Sequence, residues 1–223
     1  MKKFLTGLCM LVGIATNASA QFGLPSLGGS KPSGGADVGE LVTKFNAQNA
    51  LISSAVANSL EQIIAALGDK TLIATEKEKY EAIQKVTDPQ EKAKQEGTLI
   101  KEAAGEAQKL LDSKDAQEKM KNLAPQMQQK VAKAIFNVGV AALQVPGMLD
   151  TGKKAIEAVG SNPMQISKVI PIKDGVALFA DALPKMVQIG SSGVKLLQDV
   201  KVKAETPSAS ATLQPSSDSP FGG

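Results

Sequence analysis

The sequence predicts an all-α protein, a multi-helix bundle of about seven to nine helices with a disordered tail at each end. Three observations lead there. Apolar residues recur at three- and four-residue steps through most of residues 37–205, no alternating strand of useful length interrupts them, and no hairpin turn signal occurs. The same steps admit coiled-coil pairing between helices.

The N-terminus has a separate purpose. Met1-Lys2-Lys3 is a short basic start, Phe4 to Ala15 is apolar apart from Thr6 and two glycines, and Ala18-Ser19-Ala20 forms a small-residue A-x-A site. This is the layout of a secretory signal peptide over residues 1–20, cleaved between Ala20 and Gln21. Its apolar part is shorter than the roughly 20 residues a membrane-spanning helix needs. The lone Cys9 lies inside it, so the mature chain would have no thiol and would fold without a disulfide. The short, lysine-led signal points to a periplasm, with secretion as the alternative.

Residues 21–36 (QFGLPSLGGSKPSGGA) and 206–223 (TPSASATLQPSSDSPFGG) read as flexible segments with too little apolar surface to order themselves. Between them, residues 37–205 form one helical domain. Asp37 and Glu40 make an acidic capping box that opens a first helix, whose stripe runs through Val38, Leu41, Val42, Phe45, Ile52, Val56, Leu60, Ile63 and Leu67 to a stop at Gly68. A second helix, Lys70 to Val86, buries Leu72, Ile73, Tyr80 and Ile83. Asp88-Pro89-Gln90-Glu91 starts a third, with Asp88 as cap and Pro89 at the first helical position. A short charged helix ends near Leu123.

Pro125 begins the most apolar helix, running to Val145. Met127, Val131, Ile135, Val138, Ala142 and Val145 make one face, and Lys130, Lys133, Asn137 and Gln144 the other. That polar stripe marks an amphipathic or central bundle helix rather than a membrane span. Pro146-Gly147 is expected to end or kink it, and Met148 to Val159 to form a shorter helix that stops at Gly160. Pro163, Pro171 and Pro184 break up the apolar region that follows, and Ser191-Ser192 caps a last helix.

Composition excludes several chemistries. The chain contains no His, Arg or Trp, one Tyr and one Cys. It therefore has no imidazole base or ligand and no guanidinium fork for phosphate or carboxylate. Loss of residues 1–20 removes two lysines and lowers the net charge from +3 to +1, which argues against a nucleic-acid partner. Residues 69–122 hold 12 acids and 11 lysines and read as a solvated helical pair, with acid-first steps at Glu81/Lys85, Asp88/Lys92 and Asp115/Lys119. Residues 123–204 hold 10 lysines and 5 acids and most bulky apolar residues, giving a core plus a mildly basic face.

Two short motifs look catalytic at first sight. Asp150-Thr151-Gly152 spells the aspartic-protease triplet, but lies in a helical context without a second copy, where Asp150 caps a helix or pairs with Lys153 or Lys154. Ser192-Gly193-Val194-Lys195 fits S-x-x-K, but without the accompanying S-D-N and K-T-G elements. Tyr80 reads as core with its hydroxyl at the surface. Met120, Met127, Met148, Met164 and Met186 fill the core, with an adaptable Met-containing groove as the alternative. No metal, cofactor or catalytic residue is assigned.

The expectation is an exported, non-enzymatic helical bundle that binds a protein partner in the cell envelope. The alternative is a lipid-binding or membrane-active protein whose helices around 125–149 and 164–190 open onto a peripheral membrane surface.

Overall fold

The computed structural model describes residues 38–160, 170–214 and 219–221. Ala18, Ala20, Gln21 and all of residues 1–37, with the expected signal peptide, flexible segment and Asp37 cap, lie outside the described residues.

Six helices are present among the described residues: α1 Val38–Leu67, α2 Lys70–Gln84, α3 Pro89–Leu111, α4 Ala116–Asn122, α5 Pro125–Gly160 and α6 Ile170–Asp199. Local chemistry sets several ends. The Gly68 amide donates to the Ile64 carbonyl at 2.8 Å as α1 finishes, and Asp69 accepts the Leu72 amide at 2.8 Å to cap α2. Asp88 caps α3 by accepting the Glu91 amide at 2.8 Å, and Pro89 opens that helix. The Glu91 carboxylate accepts instead from Gln95, one turn on.

The helix count is lower than the seven to nine expected because two prolines do not break their helices. α5 continues through Pro146 and α6 through Pro184, and both prolines are exposed. A proline inside a helix costs about 3 kcal/mol. Beyond Pro146, Met148, Ala155 and Val159 are buried; around Pro184, Phe179, Ala182, Met186 and Ile189 are buried. Each large apolar side chain so buried returns about 1.5–3 kcal/mol, so continuing the helix wins over stopping it. Ser191 likewise caps nothing: its hydroxyl donates to the Gln188 carbonyl at 3.0 Å inside α6. Pro163 lies outside the described residues.

α1, α5, α6 and α3 form a closed four-sided ring in that order, each packed on two neighbours. Glycines let the helices meet closely. A Cβ at Gly152 of α5 would stand 2.6 Å from Val176 of α6 and 2.8 Å from Phe45 of α1, and one at Gly193 of α6 would stand 2.6 Å from Ile135 of α5. Matching 152 with 176 and 135 with 193 makes α5 and α6 antiparallel. Lys101 pairs with Asp181 at 2.7 Å, Gly97 faces Leu178 and Gly105 faces Lys185, so α3 and α6 run parallel. α2 folds back on α3, tied by Lys79–Glu102 at 2.9 Å and Lys92–Gln84 at 3.2 Å. α4 closes one end: Lys119 donates to the Leu67 carbonyl at 3.0 Å and Gln117 to Asp199 at 3.0 Å. A cation at the C-terminus of α1 also complements the helix dipole. Phe45, Leu60, Ile63, Ile64, Ile135, Met148, Phe179, Met186 and Ile189 are the large side chains inside.

Of the tail expected over 206–223, residues 206–214 and 219–221 are described, and they carry no regular secondary structure. α6 ends in a Schellman motif: the Lys201 amide donates to Gln198 at 3.1 Å and the Val202 amide to Leu197 at 2.9 Å, with Lys201 at φ 60°. The chain then runs without regular secondary structure from Val202 to Gln214, turning at Ser208–Ala211, and is described again at residues 219–221. Leu213 and Phe221 join the hydrophobic core, 5% and 6% exposed. We call residues 202–221 the strap; 215–218 and 222–223 are outside the described residues.

Candidate binding surface

The polar stripe of α5 is where the strap lies. Asn137 is only 2% exposed. Its side-chain amide donates to the Gln214 carbonyl at 2.8 Å and its carbonyl accepts the Gln214 amide at 2.8 Å, so one side chain satisfies both main-chain groups of one residue. Two turns on, Gln144 donates to the carbonyls of Ala209 at 3.3 Å and Ala211 at 2.9 Å. Between them Gly139 makes room for Pro207, whose Cγ would stand 2.5 Å from a Cβ there. These contacts read the backbone of an irregular segment, the Gln144 pair at its Ser208–Ala211 turn, while Pro207, Leu213 and Phe221 supply apolar anchors.

The far end of the strap meets a polar cluster drawn from three helices. Ser219 donates a short hydrogen bond to the Glu61 carboxylate of α1, which is 7% exposed. Burial pushes the Glu61 carboxyl above its usual range, and the Ser219 hydroxyl partly offsets this. Tyr80 of α2, half-buried, is raised first by burial and then by the Glu61 charge, with Ser219 and Gln84 opposing as hydrogen-bond partners. Glu96 of α3 is also raised by burial, against the nearby Lys92. Beside this end a cavity of about 80 Å³ is lined by Gln62, Ala65, Met127, Lys130 and Pro220.

A second, open groove of about 400 Å³ lies between α2 and α3, lined by Asp69, Leu72, Glu76, Lys79 and Glu106 among others. Its charges serve the fold: Lys79 bridges the buried Glu76 and the exposed Glu102, each at 2.9 Å, and those hydrogen bonds raise its pKa.

The motifs singled out from sequence are built into helices. Asp150 pairs with Lys154 at 2.7 Å, Thr151 donates to the Gly147 carbonyl at 3.0 Å, and Gly152 packs on Phe45 and Val176. In the S-x-x-K stretch, Gly193 of α6 packs on Ile135 of α5. Met120, Met148 and Met186 are buried in the core and Met127 lines the small cavity, while Met164 lies outside the described residues. Of the acid-first pairs, Asp115–Lys119 closes at 3.0 Å, whereas Glu81 meets Lys77 at 4.0 Å and Lys92 meets Gln84. Among the described residues no group of three or more Cys, Asp or Glu is placed to hold a metal ion.

No family model, curated protein or solved structure matches this chain. The surface itself is therefore the basis for a functional reading. Sequence reasoning placed Asn137 and Gln144 on the outer stripe but missed what covers them, and it missed Glu61 and Ser219 altogether. The available signal was Leu213 and Phe221, two bulky apolar residues in an otherwise Ser/Pro/Ala-rich stretch. Leu143 and Val187 remain about half exposed, at 49% and 52%. Each sits one turn from the Gly139–Gly190 crossing of α5 and α6, beside the strap.

Proposed function

We propose that this chain is an exported, non-enzymatic helical-bundle protein that binds a protein partner in the cell envelope, most consistent with a periplasmic location. The observation that carries the reading is the seated strap: the α5 face takes a protein segment without regular secondary structure through its main chain. Leu143 and Val187 add apolar surface next to that seat, where a partner gains most from losing contact with water. The signal-peptide pattern of residues 1–20 supports export.

A photoreactive residue at Leu143, with one at the exposed Glu78 of α2 as control, tests this in cells. The expected result is a discrete protein adduct from position 143 in the envelope fraction and none from 78. Equal, diffuse labelling from both positions defeats the reading. Fractionation and the mass of the processed chain, expected to start at Gln21, test export separately.

The lipid reading has one observation in its favour. α1 and the stretch Pro125–Val159 are long and apolar enough to cross a membrane, although most of each apolar window is buried in the bundle. Core helices of a bundle meet the same criterion, so lipid binding would require the bundle to open. Co-sedimentation with anionic vesicles, together with protection of residues 125–190 from protease, is the outcome that would favour it.

A further inference from the structure

We propose that Thr206, Ser208, Ser210 and Thr212 form an O-glycosylation site, at which one or more of these hydroxyls carries a sugar taken from a diphosphate-activated donor. The choice of sugar over phosphate rests on the reading of the chain as exported, because phosphoryl transfer draws on a nucleoside-triphosphate pool that an exported protein leaves behind.

Three observations support it. First, the four hydroxyl-bearing residues are all exposed, while Pro207 and Ala211 between them are half-buried and Leu213 beyond them is buried. The seat holds this stretch by the carbonyls of Ala209 and Ala211 and by the Pro207 ring, so none of the four hydroxyls is spent on fastening it. Second, hydroxyls elsewhere are committed to their own helices. Thr43, Ser59, Thr98, Thr151 and Ser191 each donate to a carbonyl three or four residues back, whereas Ser208 and Ser210 meet only each other, 3.3 Å apart on the surface. Third, the chemistry around them suits a bulky neutral group. Residues 204–212 (AETPSASAT) hold four hydroxyls, three alanines, one proline and one acid, the small, proline-interrupted composition of O-glycosylated segments. No large side chain stands between the hydroxyls, and the chain has no arginine to pair with a phosphate there. In the transfer, the hydroxyl oxygen attacks the anomeric carbon of the donor sugar. The new C–O bond forms as the bond to the diphosphate breaks, the diphosphate leaves with the electron pair, and the hydroxyl proton passes to a base of the transferase.

Mass spectrometry of the full chain isolated from its native cells tests the site. Cleavage after Lys203 releases residues 204–223 as one peptide, since no lysine follows, and electron-transfer fragmentation assigns any added mass to a residue. The expected result is a sugar mass on one or more of Thr206, Ser208, Ser210 and Thr212. An unmodified peptide, a phosphate mass, or sugar confined to other residues overturns the proposal. A chain carrying Thr206→Ala, Ser208→Ala, Ser210→Ala and Thr212→Ala, made in the same cells, is expected to lose the sugar completely and to melt cooperatively, because the seat does not use these side chains. Sugar retained by that variant also overturns it. The same digest reads the N-terminal peptide. A chain that starts at Gln21 with a bare 206–212 stretch defeats this proposal and leaves export standing, whereas a chain that keeps residues 1–20 and carries the sugar defeats export and leaves the site standing.

Discussion

Asn137 and Gln214 are joined twice, side-chain amide to main-chain carbonyl and main-chain amide to side-chain carbonyl, each at 2.8 Å. The pair is the fixed point of the strap. Asn137→Ala removes both partners and leaves a main-chain donor and acceptor of Gln214 poorly satisfied. We expect a loss of about 1–3 kcal/mol, read by denaturant titration, and faster hydrogen exchange confined to the strap and its seat. Unchanged exchange at Gln214 would falsify the assignment.

Two helix glycines, Gly147 of α5 and Gly193 of α6, give a sign test. Gly193→Ala pushes a methyl group into Ile135, which is fully buried, with a nearest approach of 2.6 Å. Overpacking of this kind costs about 1–3 kcal/mol. Gly147→Ala, also within a helix, meets nothing within 4 Å and should stabilise by about 0.5–1 kcal/mol through helix propensity alone. Thermal melts of the two variants should move in opposite directions.

Glu61 makes stability pH-dependent. Burial raises its folded-state pKa, so the folded protein holds the proton to higher pH than the unfolded chain. In the window between the ordinary glutamate pKa and the raised one, the folded state carries more protons and stability falls as pH rises. Glu61→Gln should flatten that slope and raise the melting temperature at neutral pH. Glu96 shifts in the same direction, so a residual slope is expected in the single variant. Asp115 and Asp181, lowered by hydrogen bonds to Ser113 and Lys101 respectively, act oppositely and only at more acidic pH. A Glu61→Gln melt with the parent's pH profile would rule out this origin.

Lys201→Gly removes a left-handed lysine from the end of α6. Schellman motifs favour glycine at that position, and a gain of about 1 kcal/mol is expected in equilibrium unfolding. Lys201→Ala keeps the Cβ and should give no such gain.

The legible and illegible parts of this molecule divide along a physical line. Asp88 and Pro89 act within four residues, and the cap they promise is there. Pro146 and Pro184 promise breaks by equally local rules, yet the helices continue because burial on both sides outweighs one lost hydrogen bond. Asn137 looks like an exposed residue of an amphipathic helix, since nothing near it in sequence reveals a partner 77 positions away. Strap recognition uses the backbone, and a backbone leaves no pattern in composition. The periodicity of residues 37–205 was enough for the helical bundle, but not for the surface on which its function is proposed.

The pairing of Asn137 with Gln214 also sets an order of events during synthesis. α5 is complete at residue 160, but its polar stripe stays bare until at least residue 214 has left the ribosome. During that interval the chain exposes Asn137, Gln144 and Glu61 where the finished protein covers them, and it is held short of its final stability. Until those last residues are made, Asn137 has neither of its Gln214 hydrogen bonds, and the bundle lacks the stability they contribute.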